Sequence, residues 1–500
     1  MLIRPRLDDH KVVGFYLGTI LTGVGCLMAL PLLTALLFRE WPALLNYLVS
    51  GLGALGLGLA LRLLCFTKKE IGWLHGLTLA ALFWLAAAAV AAWPFFLGGN
   101  YGSYLDSFFE AMNALATAGF SLARDLDHIS AADNMWRHLL MFLGGQGIVV
   151  MALSFLMLRG AGGFKLYAGE ARDERIVPNI ISTARLILQI SLVFLAVGTT
   201  ALTLILRWDG LSWAQSFWQG LWLFMSGFST GGFTPHTQSI LYYHSWRLEL
   251  VLLFFMFLGI LNFRLHYAFY TGDRRELRRN IEAVVLFCSF LLAVFLVCAG
   301  LFYFRVYPGL GATLRKGVFL LGAGHSTAGF TTIYAGQFFR EWPQLALLAL
   351  MTAMAIGGSA CSTAGGIKAL RIGILFKALC QDIKRLLLPQ SAVVAERYHH
   401  VKDYFLDDKI VRGAALVTLL YLAVFLLGAL AGVCYGYPFM PALFESISAA
   451  TNTGLSCGII GPDLPIGLKL IYLLEIWGGR LEFTAVLGLL AYGWACLKGK

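Results

Sequence analysis

A helix needs about 20 consecutive apolar residues to cross the hydrocarbon core of a bilayer, and this 500-residue chain offers such stretches in ten places. They fall near residues 12–38, 43–64, 73–97, 135–158, 185–206, 246–270, 281–304, 343–376, 410–434 and 466–497. In lipid a segment must satisfy its own backbone polar groups, so each stretch is expected to be helical. Composition agrees. Hydrophobic residues make up 59% and charged residues 13%, where a soluble chain has about 45–50% and about 25%. A soluble enzyme, a secreted disulfide scaffold and a disordered chain are excluded. What remains is an all-α polytopic membrane protein.

The net charge of +11 fits that class. With a cytoplasmic N-terminus, 26 of the 38 Lys and Arg fall on the inner side, including Arg4, Arg6, Lys68, Lys69, Arg274, Arg275, Arg278, Arg279 and a dense group from Lys368 to Arg412. Arg264 and Arg480 lie within spans. The asymmetry predicts a multi-pass membrane protein with both termini on the cytoplasmic side. It assigns the positive charge to topology rather than to nucleic-acid binding. The start MLIRPRLDDHK lacks a small-residue cleavage site, so the first span is expected to be retained. Nine scattered Cys without a CxxC pair predict neither disulfides nor a metal site.

Four shorter apolar segments, near 104–117, 213–230, 313–327 and 440–452, are variants of one pattern. Aligned, they read FEAMNALATAGFS (109–121), WLFMSGFSTGGFT (222–234), FLLGAGHSTAGFT (319–331) and FESISAATNTGLS (444–456). Each carries a glycine followed by an apolar residue and a hydroxyl: Gly119, Gly232, Gly329 and Gly454. An aromatic stands ten residues earlier (Phe109, Trp222, Phe319, Phe444) and a small residue five earlier (Ala114, Gly227, Gly324, Ala449). Ten spans then divide into two leading spans and four copies of span, short helix, polar turn, span. The expected units are 1–70, 71–180, 181–279, 280–408 and 409–500. Gly144, Gly259, Gly357 and Gly478 recur in the second span of each copy, at positions suited to close helix packing.

Non-helical backbone at membrane depth is tolerated only inside protein or against a water-filled path. Four equivalent turns around one axis would present rings of carbonyl oxygens able to replace an ion's hydration shell. The expected ring comprises Ala116, Thr117, Ala118 and Gly119; Ser229, Thr230, Gly231 and Gly232; Ser326, Thr327, Ala328 and Gly329; and Thr451, Asn452, Thr453 and Gly454. None is a carboxylate, which points to a monovalent cation rather than Ca²⁺ or Mg²⁺. The C-terminal dipole ends of the short helices also favour a cation.

Four fused span–pore-loop–span copies with one key glycine per loop resemble the Trk, Ktr and HKT superfamily of potassium transporters. The two leading spans make the chain most similar to the TrkH branch. Two further stretches carry the resemblance. IGGSACSTAGGIKALRI (356–372) looks like the family's small-residue loop in the third copy, and EIWGGRLE (475–482) like its Gly-Arg-Leu-Glu segment. The resemblance implies potassium as the permeant ion with no covalent cofactor. It also implies a homodimer and a cytoplasmic nucleotide-binding regulatory subunit of the TrkA or KtrA type. Inner-leaflet lipid would account for the basic 368–412 face as well as a docked partner would.

Residue chemistry alone also marks these stretches. Apart from Cys361, the run Gly357, Gly358, Ser359, Ala360, Cys361, Ser362, Thr363, Ala364, Gly365, Gly366 is all Gly, Ala, Ser or Thr, so the span should break there and block the path beneath the turns. Lys368 trails the run. Arg480 is a charge within a span and so a candidate functional residue. Its expected partner is the broken loop, with Glu475 or Glu482 as the competing assignment. Arg264 is expected to snorkel to the inner face. Glu110 and Glu445, nine residues before their glycines, would offset a helix dipole or concentrate cations at the mouth. His325 is expected to pack in its pore helix or to make the third turn sensitive to pH, and His399–His400 to lie on a solvated surface. The fourth turn lacks the Phe that follows the other three glycines, which keeps a sodium-permeable or sodium-coupled transporter as the alternative. A membrane enzyme would need His, Asp or Glu clustered in the turns, and they hold none.

Overall fold

The structure is a computed structural model that describes residues 7–69, 72–147, 180–334, 336–389 and 395–499. Arg4, Arg6 and the part of the expected fourth span beyond residue 147 lie outside the described residues. Among the described residues, six helices are long and apolar enough to cross a membrane: Asp8–Phe38, Trp41–Leu64, His75–Gly98, Ser182–Trp208, Ile281–Tyr303 and Asp408–Cys434. They match the first three expected spans and the leading span of the second, third and fourth copies. The first two pack along each other at small residues. A Cβ on Gly18 would stand 2.7 Å from the Gly58 carbonyl, an approach that only a glycine allows.

The second spans differ from expectation. A break was predicted only near 357–366, yet none of the four runs on as one straight helix. Ala131–Gln146 stops at Gly147, whose φ is 90°. Trp246–Ile260 and Phe263–Tyr270 meet at 99°, and Ile466–Arg480 and Thr484–Lys498 at 108°. Gln344–Ala355 gives way to an extended loop that rejoins helix at Ala369–Leu387. The spans predicted over 246–270 and 466–497 are therefore bent in the middle, and Arg264 sits beyond a bend rather than in a continuous span.

The bends have a physical cause. Breaking a helix frees its last carbonyls, and here those carbonyls find new donors inside the protein. The carbonyls of Gly259 and Ile260 accept from the backbone N–H of Thr363 (3.3 Å) and Ser359 (3.0 Å). Tyr421 donates to the Gly479 carbonyl at 2.9 Å, and Arg480 donates to Gly144. Irregular backbone at this depth survives because it is paired.

The four short helices stand between their spans at Tyr104–Ala116, Trp213–Phe228, Leu310–His325 and Phe439–Ala450. Ser103 and Ser212 cap the first two by accepting the third backbone N–H. A hairpin pairs Arg397–His400 with Lys402–Phe405. It replaces the solvated surface expected for the His pair. His400 is 7% exposed, and His399 lies 2.9 Å from Glu276 and 2.7 Å from Asp403.

Candidate functional site

Each short helix ends in the same way. The residue two before the glycine is left-handed: Thr117 (φ 56°), Thr230 (52°), Thr327 (56°) and Asn452 (55°). Its N–H turns back to the small residue three earlier, and the next N–H reaches one residue further back. Thr117 bonds to the Ala114 carbonyl at 3.1 Å and Ala118 to Asn113 at 2.9 Å. The equivalent pairs recur at Thr230 and Gly231, Thr327 and Ala328, and Asn452 and Thr453. This double bond pattern closes a helix end against its own carbonyls. A left-handed non-glycine residue costs about 1–3 kcal/mol, and the pattern is held four times. Asn tolerates that conformation better than Thr, which accounts for the departure at 452.

The glycines are left-handed as well, at φ 81°, 83°, 71° and 84°, and they interlock. A Cβ on Gly119 would strike the Gly231 carbonyl; on Gly232, that of Ala328; on Gly329, that of Thr453; on Gly454, that of Ala118. Each glycine thus lies under the carbonyl just before the next copy's glycine, and the series closes after four. Within the turns only the four glycines are partly exposed, and the other twelve residues are buried. The sixteen residues singled out in the sequence are therefore brought together in one ring.

The loop 357–366 lies against the side of this ring where the helices end. Thr363 Oγ1 donates to the Phe228 carbonyl (3.1 Å) and stands 3.2 Å from Thr230 Oγ1. The Gly365 N–H donates to Thr327 Oγ1 at 3.0 Å, and a Cβ on Gly365 would meet the Thr451 carbonyl. The first turn is reached through Arg480, which donates to Thr117 Oγ1 at 3.2 Å and to the Thr363 carbonyl at 2.8 Å, as well as to the carbonyls of Gly144 and Gly145. Its guanidinium stands at the C-terminal ends of Tyr104–Ala116, Ala131–Gln146 and its own helix Ile466–Arg480, a place that favours positive charge. Loop and arginine together touch all four turns.

Lys368 closes the loop by donating to the Ala364 carbonyl at 2.5 Å. The competing partners of Arg480 are engaged elsewhere. Glu482 pairs with Arg371 and stands 4.0 Å from Lys368, and Glu475 accepts from Ser446 at 3.0 Å. The parallel bridge between Ile356 and Ile367 joins the two ends of the loop.

Several side chains take other places than expected. Glu110 and Glu445 are buried rather than set at a mouth. Glu110 accepts from the Ser121 hydroxyl, from the Leu122 N–H and from Arg137, the last at 2.8 Å. Glu445 accepts from Ser456 and from the N–H groups of Cys457 and Ile459. Both brace the segment that leaves the glycine, in the first and fourth copies. His325, by contrast, packs in its helix as one of its two expected readings had it, with Nε2 2.9 Å from the Ser289 hydroxyl. The glycine that backs the fourth turn is Gly479, not Gly478: its Cα lies under the Ala450 carbonyl, as Gly144 lies under Leu115 and Gly259 under Phe228. Gly357 lies instead under Gly365, within its own loop. Glu282 and Arg371 went unassigned in the sequence, and Glu482, considered there only as a partner of Arg480, pairs with Arg371 instead. Glu482 lies in the quoted EIWGGRLE segment, but a charge beside a bend looks like a surface charge until the bend is known.

Comparison with known proteins adds an independent finding. The family described as TrkH, cation transport protein, matches residues 57–302 and 280–491. An uncharacterized cation transporter of Methanocaldococcus jannaschii is 30% identical over 490 residues, covering 97% of each chain. The Trk system potassium uptake protein TrkH of Halomonas elongata is 30% identical over 492 residues, covering 94% of this chain and 96% of its own. The crystal structure of the potassium transporter TrkH from Vibrio parahaemolyticus superposes with a TM-score of 0.82 at 25% identity, over 96% of this chain and 98% of that one.

Proposed function

The chain belongs to the TrkH family of cation transport proteins, and on that premise we propose that it takes up potassium across the cytoplasmic membrane through a gated pore. The Halomonas elongata relative is named for potassium uptake. The observation that carries the reading is the closed series of four glycines, each under its neighbour's carbonyl. Such a ring offers only neutral oxygens, and it offers them from rigid backbone. A potassium ion would exchange its water for these carbonyls without meeting a fixed charge. The membrane potential supplies the driving force, about 2.3 kcal/mol per charge for each 100 mV.

In this reading the loop 357–366 and Arg480 form the gate, and the arrangement described above is its closed state. Residues 71–180, 181–279, 280–408 and 409–500 are four pore repeats behind the leading pair, with both termini in the cytoplasm. A homodimer and a cytoplasmic nucleotide-binding subunit of the TrkA or KtrA type complete the assembly. One observation favours the sodium-permeable alternative. Asn452 donates its amide to the Ile476 carbonyl at 2.9 Å, and its Oδ1 stays buried and unpaired, whereas the Thr hydroxyls of the other three turns are hydrogen-bonded.

Cation flux in proteoliposomes tests the reading, with potassium, rubidium, sodium and lithium compared in the wild type and in Gly329→Ser. A serine there would carry its Cβ into the Thr453 carbonyl at φ 71°. Potassium and rubidium should pass well ahead of sodium, and the variant should lose that ratio. Equal potassium and sodium flux in the wild type would move the assignment to the sodium-permeable alternative.

A further inference from the structure

We propose that Glu282 is the positioning residue through which the cytoplasmic hairpin 397–405 holds the gating loop in place. The inference rests on the reading of 357–366 as a gate and adds what fastens it from below.

Glu282 is the second residue of the helix Ile281–Tyr303, whose N-cap Asn280 accepts the Glu282 N–H at 3.0 Å. An acidic residue in a first turn ordinarily faces water and complements the helix dipole. This one is wholly buried and points inward at two other parts of the chain. Its Oε1 accepts the N–H of Ala360, in the middle of the loop, at 2.6 Å. Its Oε2 lies 3.8 Å from Nδ1 of His400 in the hairpin. One carboxylate therefore bonds to the loop through one oxygen and faces the hairpin imidazole, at ion-pair distance, with the other.

The hairpin is fixed to the same connector a second time. Glu276 lies 2.9 Å from His399 Nε2, accepts the Val401 N–H at 3.1 Å and accepts from the Asn280 amide at 2.9 Å. Residues 276–282 thus carry a carboxylate at each end, and the two adjacent histidines take one each. Strand 402–405 is exposed throughout, so the hairpin can be reached from the cytoplasm. A buried carboxylate is costly without its partners. Withdrawing His400 with the hairpin therefore favours turning Glu282 outward, and that turn removes the acceptor from Ala360. Hairpin position and loop position become coupled through one side chain.

Cys361, beside Ala360 and 4% exposed, provides a native reporter. Full-length protein in proteoliposomes, with no partner added, would be assayed for rubidium flux and for maleimide labelling of Cys361 by peptide mass spectrometry. Glu282→Ala should raise both by about tenfold, the factor that about 1.4 kcal/mol gives. His400→Ala should raise both in the same direction, and the double variant should go no further than Glu282→Ala alone. Wild-type values for Glu282→Ala, or additive effects of the two changes, would overturn the proposal. Should Glu282→Ala fail to fold, Glu282→Gln keeps an acceptor for Ala360 but no charge for His400. A smaller rise that His400→Ala does not increase is expected, and wild-type values again overturn it. Arg480→Ala run alongside separates the two readings. If Glu282→Ala raises labelling while neither variant changes flux, the coupling stands and the gate falls. If Arg480→Ala raises flux while Glu282→Ala changes neither readout, the gate stands and the coupling falls.

Discussion

Replacing Arg480 by alanine should open the proposed pore, and the size of the effect follows from the bonds that are lost. The guanidinium makes two short charge-assisted bonds, to the carbonyl of Thr363 at 2.8 Å and to that of Gly144. Hydrogen bonds to a charged group contribute about 1.5–3 kcal/mol each. The longer bonds to Thr117 and Gly145, at 3.2 and 3.4 Å, add little. Desolvation of the half-buried group offsets part of the gain, which leaves a bias toward closure of about 3 kcal/mol. That bias is about two factors of ten in the ratio of closed to open. A pore closed about 99% of the time would then be open about half of it, and flux would rise by about fiftyfold. Arg480→Lys should fall between the two, because an ammonium cannot span the acceptors that the planar fork reaches together. Rubidium uptake into vesicles at a fixed potential reads the effect, with a thermal melt to show that both variants remain folded. Flux from Arg480→Ala within about twofold of the wild type would refute the latch while leaving the ring assignment intact.

Two further outcomes are expected. Asn452→Thr makes the fourth turn like the others and should raise the ratio of potassium to sodium flux, at a stability cost of about 1 kcal/mol for a β-branched residue at φ 55°; an unchanged ratio would remove Asn452 from the account of selectivity. The hairpin should loosen at alkaline pH. Burial alone would lower the His399 pKa, but the hydrogen bonds and charges of Glu276 and Asp403 outweigh it and hold the value above the usual one. Burial likewise opposes, and the bonds from His399 and Asn280 overcome, so that Glu276 lies below its usual value. A raised imidazole contributes stability that is complete below about pH 6.5 and is lost as pH rises through the raised value. The depressed carboxylate contributes above its usual value and loses this as pH falls through the lowered one, so docking is strongest between the two. Tryptic cleavage at Arg397 and Lys402, compared between wild type and His399→Gln at each pH, checks this; a ratio that stays constant from about pH 6 to 9 would refute it.

The ring was legible in the sequence because each of its requirements leaves a mark on residue type. A left-handed glycine and a small residue under the returning N–H are demands of one backbone geometry, and they recur at four registers. Gly227 and Gly324 mark the third residue of that closure as plainly as Gly232 and Gly329 mark the turn. The loop was legible for a related reason, since Gly357 to Gly366 packs badly as helix. The bends at Leu261 and Phe483 were not. Leu, Phe and Ile continue a helix as well as they end one, and what breaks these spans is the offer of donors from elsewhere in the chain. Gly479 was missed beside Gly478 for the same kind of reason. Two adjacent glycines are equivalent in sequence, and only the helix phase shows which one faces the Ala450 carbonyl. Glu282 and His400 are 118 residues apart, and no local pattern records such a meeting.

The four breaks also bear on how the proposed gate would be built. A ring of four like turns can select an ion, but it has no element that moves independently of the rest. Each broken span supplies something different beneath it: the first gives the carbonyls of Gly144 and Gly145, the second those of Gly259 and Ile260, the third the loop and the fourth Arg480. In the proposed closed state the acceptors at the inner end of the pore are occupied by donors from the loop and by one guanidinium. They are therefore paired much as they would be around a passing ion and its water. Closure does not bury bare carbonyls, and opening does not strand them. Because the polar groups keep partners in both states, the difference between the states reduces to a few bonds. A difference of that size is what a contact at the hairpin, acting through Glu282, is able to reverse.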